Sequence, residues 1–228
     1  MKKVLFALFA HPDDESFGPS GTLLLETQAG TELHLILLTS GDGGMNPDNH
    51  TNLSEVRLQE WRAAGKLMGA TDMHYLGYKD GQLGNQSMIE ITERAADLVS
   101  SVIAALPTDT EIEFITNDLN GITGHIDHIV AARVSCKVFY QMKANDPRFT
   151  RLRMCCLSLA TAPSANTDWL YMEAGRREDE IDETVDARHL HDDIISIIRT
   201  HHTQRHDGER CIKLYGESLG INHFIVKT

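Results

Sequence analysis

The chain has 228 residues, of which 41% are hydrophobic and 24% are charged, as is typical of a globular domain with a full apolar core. Its 33 acidic residues outnumber 21 basic ones, giving a formal charge of −12. This balance argues against nucleic acid or an anionic membrane surface as the main partner, since both require a basic footprint. No segment approaches the roughly 20 apolar residues of a membrane span, so membrane insertion is not expected.

The N-terminus and the cysteines bear on the cellular compartment. The first nine residues begin like a signal peptide, but their apolar run is short and leads into a polar motif without a cleavage region. A buried first strand is the better interpretation. The cysteines include no CxxC pair, which fits neither a disulfide framework nor a thiolate zinc site. We therefore expect reduced thiols and a cytoplasmic protein.

Short apolar runs alternate with helical patterns through the first two thirds of the chain. The apolar runs predict strands at Val4–Phe9, Leu33–Thr39, Met73–Leu76, Glu111–Thr116 and Arg153–Ala160. The segments between them predict helices at Gly21–Gln28, Ser54–Met68, Ser87–Leu106 and His128–Met142. This βαβα order favours an α/β fold with a mostly parallel sheet and helices on both faces.

The last third of the chain has a less regular pattern. Glu173–Asp186 is strongly charged, and we expect it to form a solvated surface segment. Arg188–His201 predicts a helix and His223–Lys227 predicts a final strand. Because there are no repeats and no clear linker, the sequence predicts one domain over residues 1–228.

Two motifs of metal-ligand residue types follow predicted strands. The sequence HPDDE at residues 11–15 comes directly after the first strand, and HIDH at residues 125–128 follows the fourth strand at the start of a helix. In open α/β sheets, ligands bind at the carboxyl ends of the strands. We therefore expect the two motifs to contribute to one site.

The residue types in these motifs point to a catalytic metal. His11 and Asp14 are three residues apart across a turn, so both can face one cation, and His128 would supply a third ligand. Two histidines and one carboxylate with an open position are the composition of a site that activates water. Asp13 would then be free to act as a general base towards that water.

The second motif would complete such a site. His125, one turn away from His128, would face the substrate carbonyl and stabilise the oxyanion, and Asp127 would orient an imidazole. Each motif has a simpler explanation when taken alone. HPDD also fits a turn with a capping aspartate, and HIDH fits a helix N-terminus with its favoured acid. Their joint position after two strands favours the metal site.

The motifs also carry a family resemblance. AHPDDE at residues 10–15 resembles the signature of the PIG-L/LmbE family of zinc-dependent N-acetylglucosaminyl deacetylases. GHIDH at residues 124–128 resembles that family's second motif, usually GHPDH, from which Ile126 departs at a position that lends no side chain to the metal. The resemblance covers roughly residues 4–135 and is thin over about 145–228, where such enzymes shape the pocket.

The resemblance implies a Rossmann-like fold and removal of the N-acetyl group from an N-acetylglucosamine-type substrate or conjugate. It implies zinc held by His11, Asp14 and His128, although Fe²⁺, Mn²⁺ or Co²⁺ would also suit such ligands. It assigns Asp13 as the general base and acid and His125 as the group that stabilises the tetrahedral intermediate.

Weaker similarities point to substrate contacts. Glu55-Val56-Arg57 resembles a family E-x-R element whose arginine, here Arg57, helps to hold the substrate. The segment 76–81 resembles one whose aspartate, here Asp80, binds sugar hydroxyls. An exposed helix pair and a plain Asp-Gly turn are the respective alternatives. Residues 201–204 resemble an H-x-[ST]-Q element at the border of the pocket, while Trp169 and Tyr171 are expected to pack rather than to stack on a sugar.

Three other functions fit parts of the pattern. A metal hydrolase of a different amide would use the same residues. A non-catalytic Rossmann-like binding module lacks its glycine fingerprint here, and the acidic HPDDE motif would repel phosphates. A metal-storage protein would leave Asp13 and His125 without a role. The favoured partner is a small amino-sugar substrate, while the aglycone and the formation of a homo-oligomer stay open.

Overall fold

The computed structural model describes residues 2–160 and 175–228. Trp169 and Tyr171 lie outside these described residues. Within them, no helix combines the length and the apolarity needed to span a bilayer.

One sheet runs through the molecule and contains the strands β1 (Lys3–Phe9), β2 (Glu32–Thr39), β3 (Asp72–Tyr78), β4 (Glu111–Asn117), β5 (Phe149–Cys156), β6 (Glu183–Asp186) and β7 (Ile221–Lys227). Their order across the sheet is β3-β2-β1-β4-β5-β7-β6. Strands β1 to β5 are parallel, whereas β7 pairs antiparallel with both β5 and β6. The prediction of a mostly parallel sheet is confirmed.

Helices cover both faces of the sheet. They are α1 (Asp14–Phe17), α2 (Ser20–Gln28), α3 (Leu53–Leu67), α4 (Asn85–Ile103), α5 (Ile126–Lys143), α6 (His191–Thr200) and α7 (Arg205–Tyr215). One apolar layer lies between the sheet and α4 and α5, and a second lies between the sheet and α2, α3 and α6. Trp61 of α3 is fully buried in the second layer, as predicted.

The burial of β1 shows why its sequence is a continuous apolar run. Side chains alternate between the two faces of a strand. Phe6 and Leu8 enter the layer under α4 and α5, while Leu5 and Ala7 enter the opposite layer. Because both layers are apolar, residues 4–9 of the strand are all apolar.

The C-terminal part of the fold differs from the prediction. Strand β5 spans Phe149–Cys156 rather than Arg153–Ala160. Arg153 therefore lies inside the strand and not at its start, and its buried guanidinium is paired with Glu26 and Glu113. The charged segment expected at the surface contributes β6, whose residues alternate between half-buried and exposed. Helix α7 was not predicted.

The strand order brings the two motifs together. Strands β1 and β4 are neighbours at the centre of the sheet, and both motifs follow the carboxyl ends of these strands. The HPDDE motif runs from β1 into α1, and the HIDH motif lies at the start of α5, in the connection after β4. This is the edge at which open α/β sheets bind ligands.

Candidate active site

The three predicted metal ligands converge at the carboxyl ends of β1 and β4. His11 Nδ1 lies 2.9 Å from His128 Nε2, and His128 Nε2 lies 3.2 Å from Asp14 Oδ1. The remaining separation, between His11 Nδ1 and Asp14 Oδ2, is 4.0 Å. Ligand atoms bonded to one tetrahedral cation at about 2.1 Å lie about 3.4 Å apart. The two distances from Asp14 involve different carboxylate oxygens, so the three side chains lie together without one atom of each forming a compact set. His11, His125 and His128 are the nearby trio whose ring nitrogens all lie within 4.8 Å of one another.

Each of these side chains is fixed by its second polar atom. Asp14 Oδ2 accepts hydrogen bonds from the backbone amides of Ala10 and His11, at 3.1 and 3.0 Å. His128 Nδ1 lies 3.1 Å from the carbonyl oxygen of Gly121, an arrangement in which the imidazole donates to that oxygen and turns Nε2 towards the cluster. Outer partners of this kind set the orientation and the tautomer of metal-binding side chains.

Asp80 and Asp127 lie behind His11. The Nε2 atom of His11 is 2.9 Å from Asp80 Oδ1 and 3.4 Å from Asp127 Oδ2. Asp127 is 1% exposed and accepts hydrogen bonds from the amides of Gly81 and Leu83, so it also holds the 79–83 segment in place. Asp127 was expected to orient an imidazole, and the imidazole that its carboxylate faces is that of His11. The orienting role stays a prediction.

Asp13 occupies a strained position beside the cluster. Its φ angle of 121° is uncommon for a residue with a side chain, and such strain concentrates at functional sites. Asp13 Oδ2 accepts a hydrogen bond of 2.8 Å from Arg57 Nη2. The same nitrogen donates to the carbonyl oxygen of Pro12, and Nη1 donates to that of Gly41. Arg57 thus fixes both the side chain and the backbone of the HPDD turn.

The Gly-rich 40–44 loop makes room for this guanidinium. Gly41 has a φ angle of +67°, and a Cβ atom there would meet the Arg57 guanidinium at 2.5 Å. Only glycine satisfies both requirements without displacing the arginine. Arg57, predicted to hold the substrate, is 3% exposed and directed at the protein's own HPDD turn. A substrate contact by Arg57 stays a prediction.

His125 faces the cluster from the first residue before α5. Its Nδ1 accepts a hydrogen bond of 3.2 Å from the amide of Asp127. In a neutral imidazole the proton must then lie on Nε2, which makes that nitrogen a donor. The ring centroid of His125 lies 4.9 Å from that of His11 and 5.0 Å from that of His128. Burial and these two imidazoles lower the pKa of His125 and favour its neutral form.

The electrostatics of the site favour a positive charge at its centre. Burial opposes protonation of His11, but Asp127 and Asp80 outweigh it and raise the pKa of His11 to about 10. Burial likewise raises the pKa of Asp13 to about 7, although Arg57 opposes this shift. Burial works against ionisation of Asp80, yet His11 holds its pKa at about 2. A cluster of carboxylates that stabilises added positive charge is suited to a cation.

A buried pair behind Asp13 was not assigned a role from the sequence. Glu15 Oε2 accepts a hydrogen bond of 3.3 Å from the Asp13 amide, and its Oε1 lies 3.1 Å from His201 Nε2. Ser16 Oγ contacts both side chains. His201 opens the H-x-[ST]-Q element, in which Thr203 binds Glu60 of α3 and Gln204 binds the Met45 carbonyl. The feature of the sequence that could have identified Glu15 as a functional residue is its position in the HPDDE motif.

A second unpredicted contact lies where β4 ends. Arg176 donates to both carboxylate oxygens of Asp118, at 2.7 and 3.1 Å, and Asp118 is 1% exposed. Asp118 follows β4 directly, while Arg176 lies in the segment expected to be solvated. Arg176 has no distinguishing neighbours in the sequence, so its partner could be found only from the fold.

Comparison with known sequences finds one matching family and several named relatives. The sequence profile described as "GlcNAc-PI de-N-acetylase" (PIG-L) matches residues 6–139, more than half of the chain. A 1D-myo-inositol 2-acetamido-2-deoxy-alpha-D-glucopyranoside deacetylase of Thermobispora bispora is 33% identical over 65% of this chain and 54% of its own length. The chain thus spans about half the length of this relative.

A relative of similar size aligns over the whole chain. It is the probable N-acetyl-alpha-D-glucosaminyl L-malate deacetylase 2 of Bacillus subtilis, which is 26% identical over 100% of this chain and 94% of its own length.

Solved structures share the fold at low sequence identity. The N,N'-diacetylchitobiose deacetylase of Pyrococcus horikoshii superposes with a TM-score of 0.68 at 18% identity, over 99% of this chain and 83% of its own. The 4-carboxy-2-hydroxymuconate hydratase of Pseudomonas putida also gives 0.68, at 16% identity, over 100% of this chain and 97% of its own. Since a deacetylase and a hydratase match equally well, the fold alone does not choose the reaction.

Proposed function

Because the chain belongs to the GlcNAc-PI de-N-acetylase family, we propose that it is a metal-dependent hydrolase that removes the N-acetyl group from an N-acetylglucosamine-type substrate or conjugate. The observation that carries the proposal is that His11 Nδ1 and Asp14 Oδ1 lie 2.9 and 3.2 Å from His128 Nε2, beside the strained Asp13. The relatives' names supply the substrate class, since two of them are deacetylases of acetamido sugars.

The donor set fits a divalent metal, zinc in the first place. Two imidazoles and one carboxylate are ligands that zinc prefers, and Fe²⁺, Mn²⁺ or Co²⁺ accept them as well. His11, Asp14 and His128 would hold the ion, and the carboxylates behind His11 favour positive charge there. When bound, the metal would supply an electrophile that polarises the acetamide carbonyl and acidifies water.

Asp13 is the general base in this proposal. A water molecule attacking the amide carbon gives its proton to Asp13, whose side chain Arg57 keeps in a fixed orientation. The same carboxyl group then delivers a proton to the leaving nitrogen, which departs as the amine of the sugar. The products are acetate and a free amino sugar.

His125 stabilises the charge that develops on the carbonyl oxygen. With Nδ1 accepting from the Asp127 amide, Nε2–H is the side of the ring that would donate to an oxyanion. Asp80 and Asp127 act on the reaction through His11, whose ring they orient. A direct contact of Asp80 with sugar hydroxyls stays a prediction, since its carboxylate already binds His11 and the Gly43 amide.

The test is acetate release from N-acetylglucosamine, its inositol and malate glycosides, and unrelated acetamides, using metal-stripped protein with and without added zinc. We expect zinc-dependent release from the sugar substrates. Release from an unrelated amide alone would support a hydrolase but contradict the proposed substrate class. No release from any amide by protein with a bound metal would contradict the proposal.

The Asp13→Asn variant provides the sharper control. Asparagine keeps the size and the contact with Arg57 but cannot accept the water proton, so we expect kcat to fall by at least about 10²-fold while zinc binding is retained. Equilibrium zinc titration checks the second part. If the variant turns over substrate at the rate of the unaltered protein, Asp13 is not the general base.

A further inference from the structure

A second cluster of metal-ligand side chains lies at the opposite end of the sheet. Its members are His34 of β2 and Asp72 and His74 of β3. His34 Nδ1 lies 3.2 Å from His74 Nε2, and Asp72 Oδ2 lies 3.8 Å from the same nitrogen. The two imidazole rings stack with an interplanar angle of 9°. These atoms face one another across the outermost pair of strands.

The register of the strands explains the convergence. Strands β2 and β3 are parallel, and His34 pairs with Asp72 while Ile36 pairs with His74. Paired residues and residues two positions apart along a strand share one face of a sheet. All three side chains therefore project from the same face, at the amino-terminal ends of strands whose carboxyl ends border the candidate active site. Thr39 lies five positions after His34 along β2, or roughly 17 Å away.

The three side chains differ in exposure in the way that a surface metal site requires. His34 is 6% exposed, and its ring packs 5.3 Å from that of Phe6. The side chain of His74 is 15% exposed and that of Asp72 is 62% exposed. Asp72 Oδ1 accepts a hydrogen bond from the Met73 amide, which leaves Oδ2 directed towards His74. Two ligands are thus held by packing, and the third borders solvent at the edge strand.

We propose that His34, His74 and Asp72 form a second binding site for a divalent transition metal, separate from the candidate active site. The separations of 3.2 and 3.8 Å bracket the value of about 3.4 Å expected between ligands of a tetrahedral ion with bonds of about 2.1 Å. The nitrogen-rich donor set selects Zn²⁺, Ni²⁺ or Cu²⁺ over Mg²⁺ or Ca²⁺. Water would complete the coordination on the exposed side.

The site is expected to be structural rather than catalytic. It joins the edge strand β3 to β2 through side chains, beyond the backbone hydrogen bonds of the ladder. A bound ion would therefore stabilise the edge of the sheet without changing acetate release. This assignment is independent of the proposed deacetylase function.

The experiment is a zinc titration of metal-stripped protein against a chromophoric chelator, with the His74→Gln, His128→Ala and His189→Gln variants. His189 is exposed and serves as the matched control. We expect two tightly bound ions in the unaltered and His189→Gln proteins and one in each of the other two. Acetate release, if present, should persist in His74→Gln. If His74→Gln and the unaltered protein bind the same number of zinc ions, the cluster is only a hydrogen-bonded pair of histidines and the proposal is wrong.

A spectroscopic experiment tests the site even if the His74→Gln variant fails to fold. In the His128→Ala background, one equivalent of Cu²⁺ should give an electron paramagnetic resonance spectrum with coupling to two imidazole nitrogens. Asp72→Asn, which alters a mostly exposed side chain, should weaken zinc binding at this site at least about tenfold while leaving the fold intact. Copper without two-nitrogen coupling, or unchanged zinc affinity in Asp72→Asn, would overturn the assignment.

Discussion

Asp13 shows how a single side chain is held for chemistry. Its backbone has a φ angle of 121°, and three groups fix it there: the Arg57 guanidinium, the Glu15 carboxylate and the amide turn that follows. Such conformations persist only where neighbouring contacts over-determine them. The strain at Asp13 is therefore maintained by Arg57 and Glu15, neither of which belongs to the proposed metal ligands.

Replacing Arg57 separates two roles for this arginine. Lysine cannot reproduce a guanidinium that reaches Asp13, Pro12 and Gly41 at once, so we expect Arg57→Lys to lower kcat by about 10–100-fold with little change in KM. Steady-state kinetics on the acetamido-sugar substrate measures both constants. Arg62→Lys, on the exposed side of the same helix, is the matched control.

The opposite kinetic pattern would assign Arg57 to the substrate. A rise in KM at constant kcat is the mark of a lost contact that is equally strong in the ground and transition states. That result would support the contact implied by the E-x-R resemblance and would contradict the positioning role.

At the scale of elements, His201 joins the end of α6 to α1. Its imidazole is 1% exposed and pairs with the fully buried Glu15. Removal of one partner from a buried ion pair leaves the other uncompensated, so we expect His201→Gln to lower the free energy of unfolding by about 3 kcal/mol. Urea unfolding measures this change, and the exposed neighbour His202 provides the control as His202→Gln.

A double-mutant cycle assigns the loss to the pair. If Glu15 and His201 stabilise each other, Glu15→Gln combined with His201→Gln should cost less than the two single changes added together. Strict additivity would show that His201 acts only by filling space.

Helix α2 is joined to the sheet by Glu26, which pairs with Arg153 of β5 and Lys3 of β1. Burial alone would raise the pKa of Glu26, but Arg153 and Lys3 outweigh it and hold the pKa below its usual value. The carboxylate thus stabilises the fold above about pH 4.5, its ordinary pKa, and this contribution is lost as the pH falls through the lowered value.

The corresponding prediction concerns stability against pH. We expect Glu26→Gln to lower the free energy of unfolding by about 1–2 kcal/mol at pH 7, because Arg153 keeps Glu113 as a partner. The difference between the variant and the unaltered protein should shrink as the pH falls below about 4. Urea unfolding at several pH values checks this, and the exposed Glu93→Gln should show no change at any pH. A difference that grows in acid would contradict the argument.

The central elements were predictable from the sequence because they obey local rules. Continuous apolar runs identified β1 and β2, and the motifs after β1 and β4 could be placed at one sheet edge from the parallel order alone. The convergence of His11 and His128 needed nothing beyond that order. Whether these residues and Asp14 bind a metal stays a prediction that the titration tests.

The C-terminal third could not be read in this way, because its structure depends on distant partners. Arg153, predicted as the first residue of a strand, instead lies within β5, where Glu26 and Glu113 neutralise its buried charge. Helix α7 has a polar sequence interrupted by Gly208, where a Cβ atom would lie 3.0 Å from the Ile198 side chain of α6. The role of Glu15 likewise depends on His201, 186 positions later.

For the molecule as a whole, the proposed metal would join elements from both halves of the family-matched segment. A ligand that binds only the folded state at 1,000 times its dissociation constant stabilises that state by about 4 kcal/mol. For a chain of this size we expect zinc to raise the midpoint of thermal unfolding of the stripped protein by roughly 10 °C. Thermal scans with zinc, and with magnesium as the control cation, measure it.

Two outcomes of the thermal scans separate the metal sites. Asp14→Ala should lose most of the zinc-induced increase if the active-site ion dominates the stabilisation. An equal increase with magnesium would show that the site does not select for nitrogen ligands, and would contradict the proposed ligand set.

The family-matched segment ends at residue 139, yet the layer over α2 and α3 is completed by Ile194, Ile197 and Phe224. During synthesis these residues leave the ribosome after the family-matched segment. His11, Asp14 and His128 are therefore already outside before α6 completes one layer of the core, and Glu15 still lacks its imidazole partner. Such long-range closure is slow compared with local helix formation. The nascent chain thus passes through a stage at which its proposed metal ligands are present before the core that fixes them.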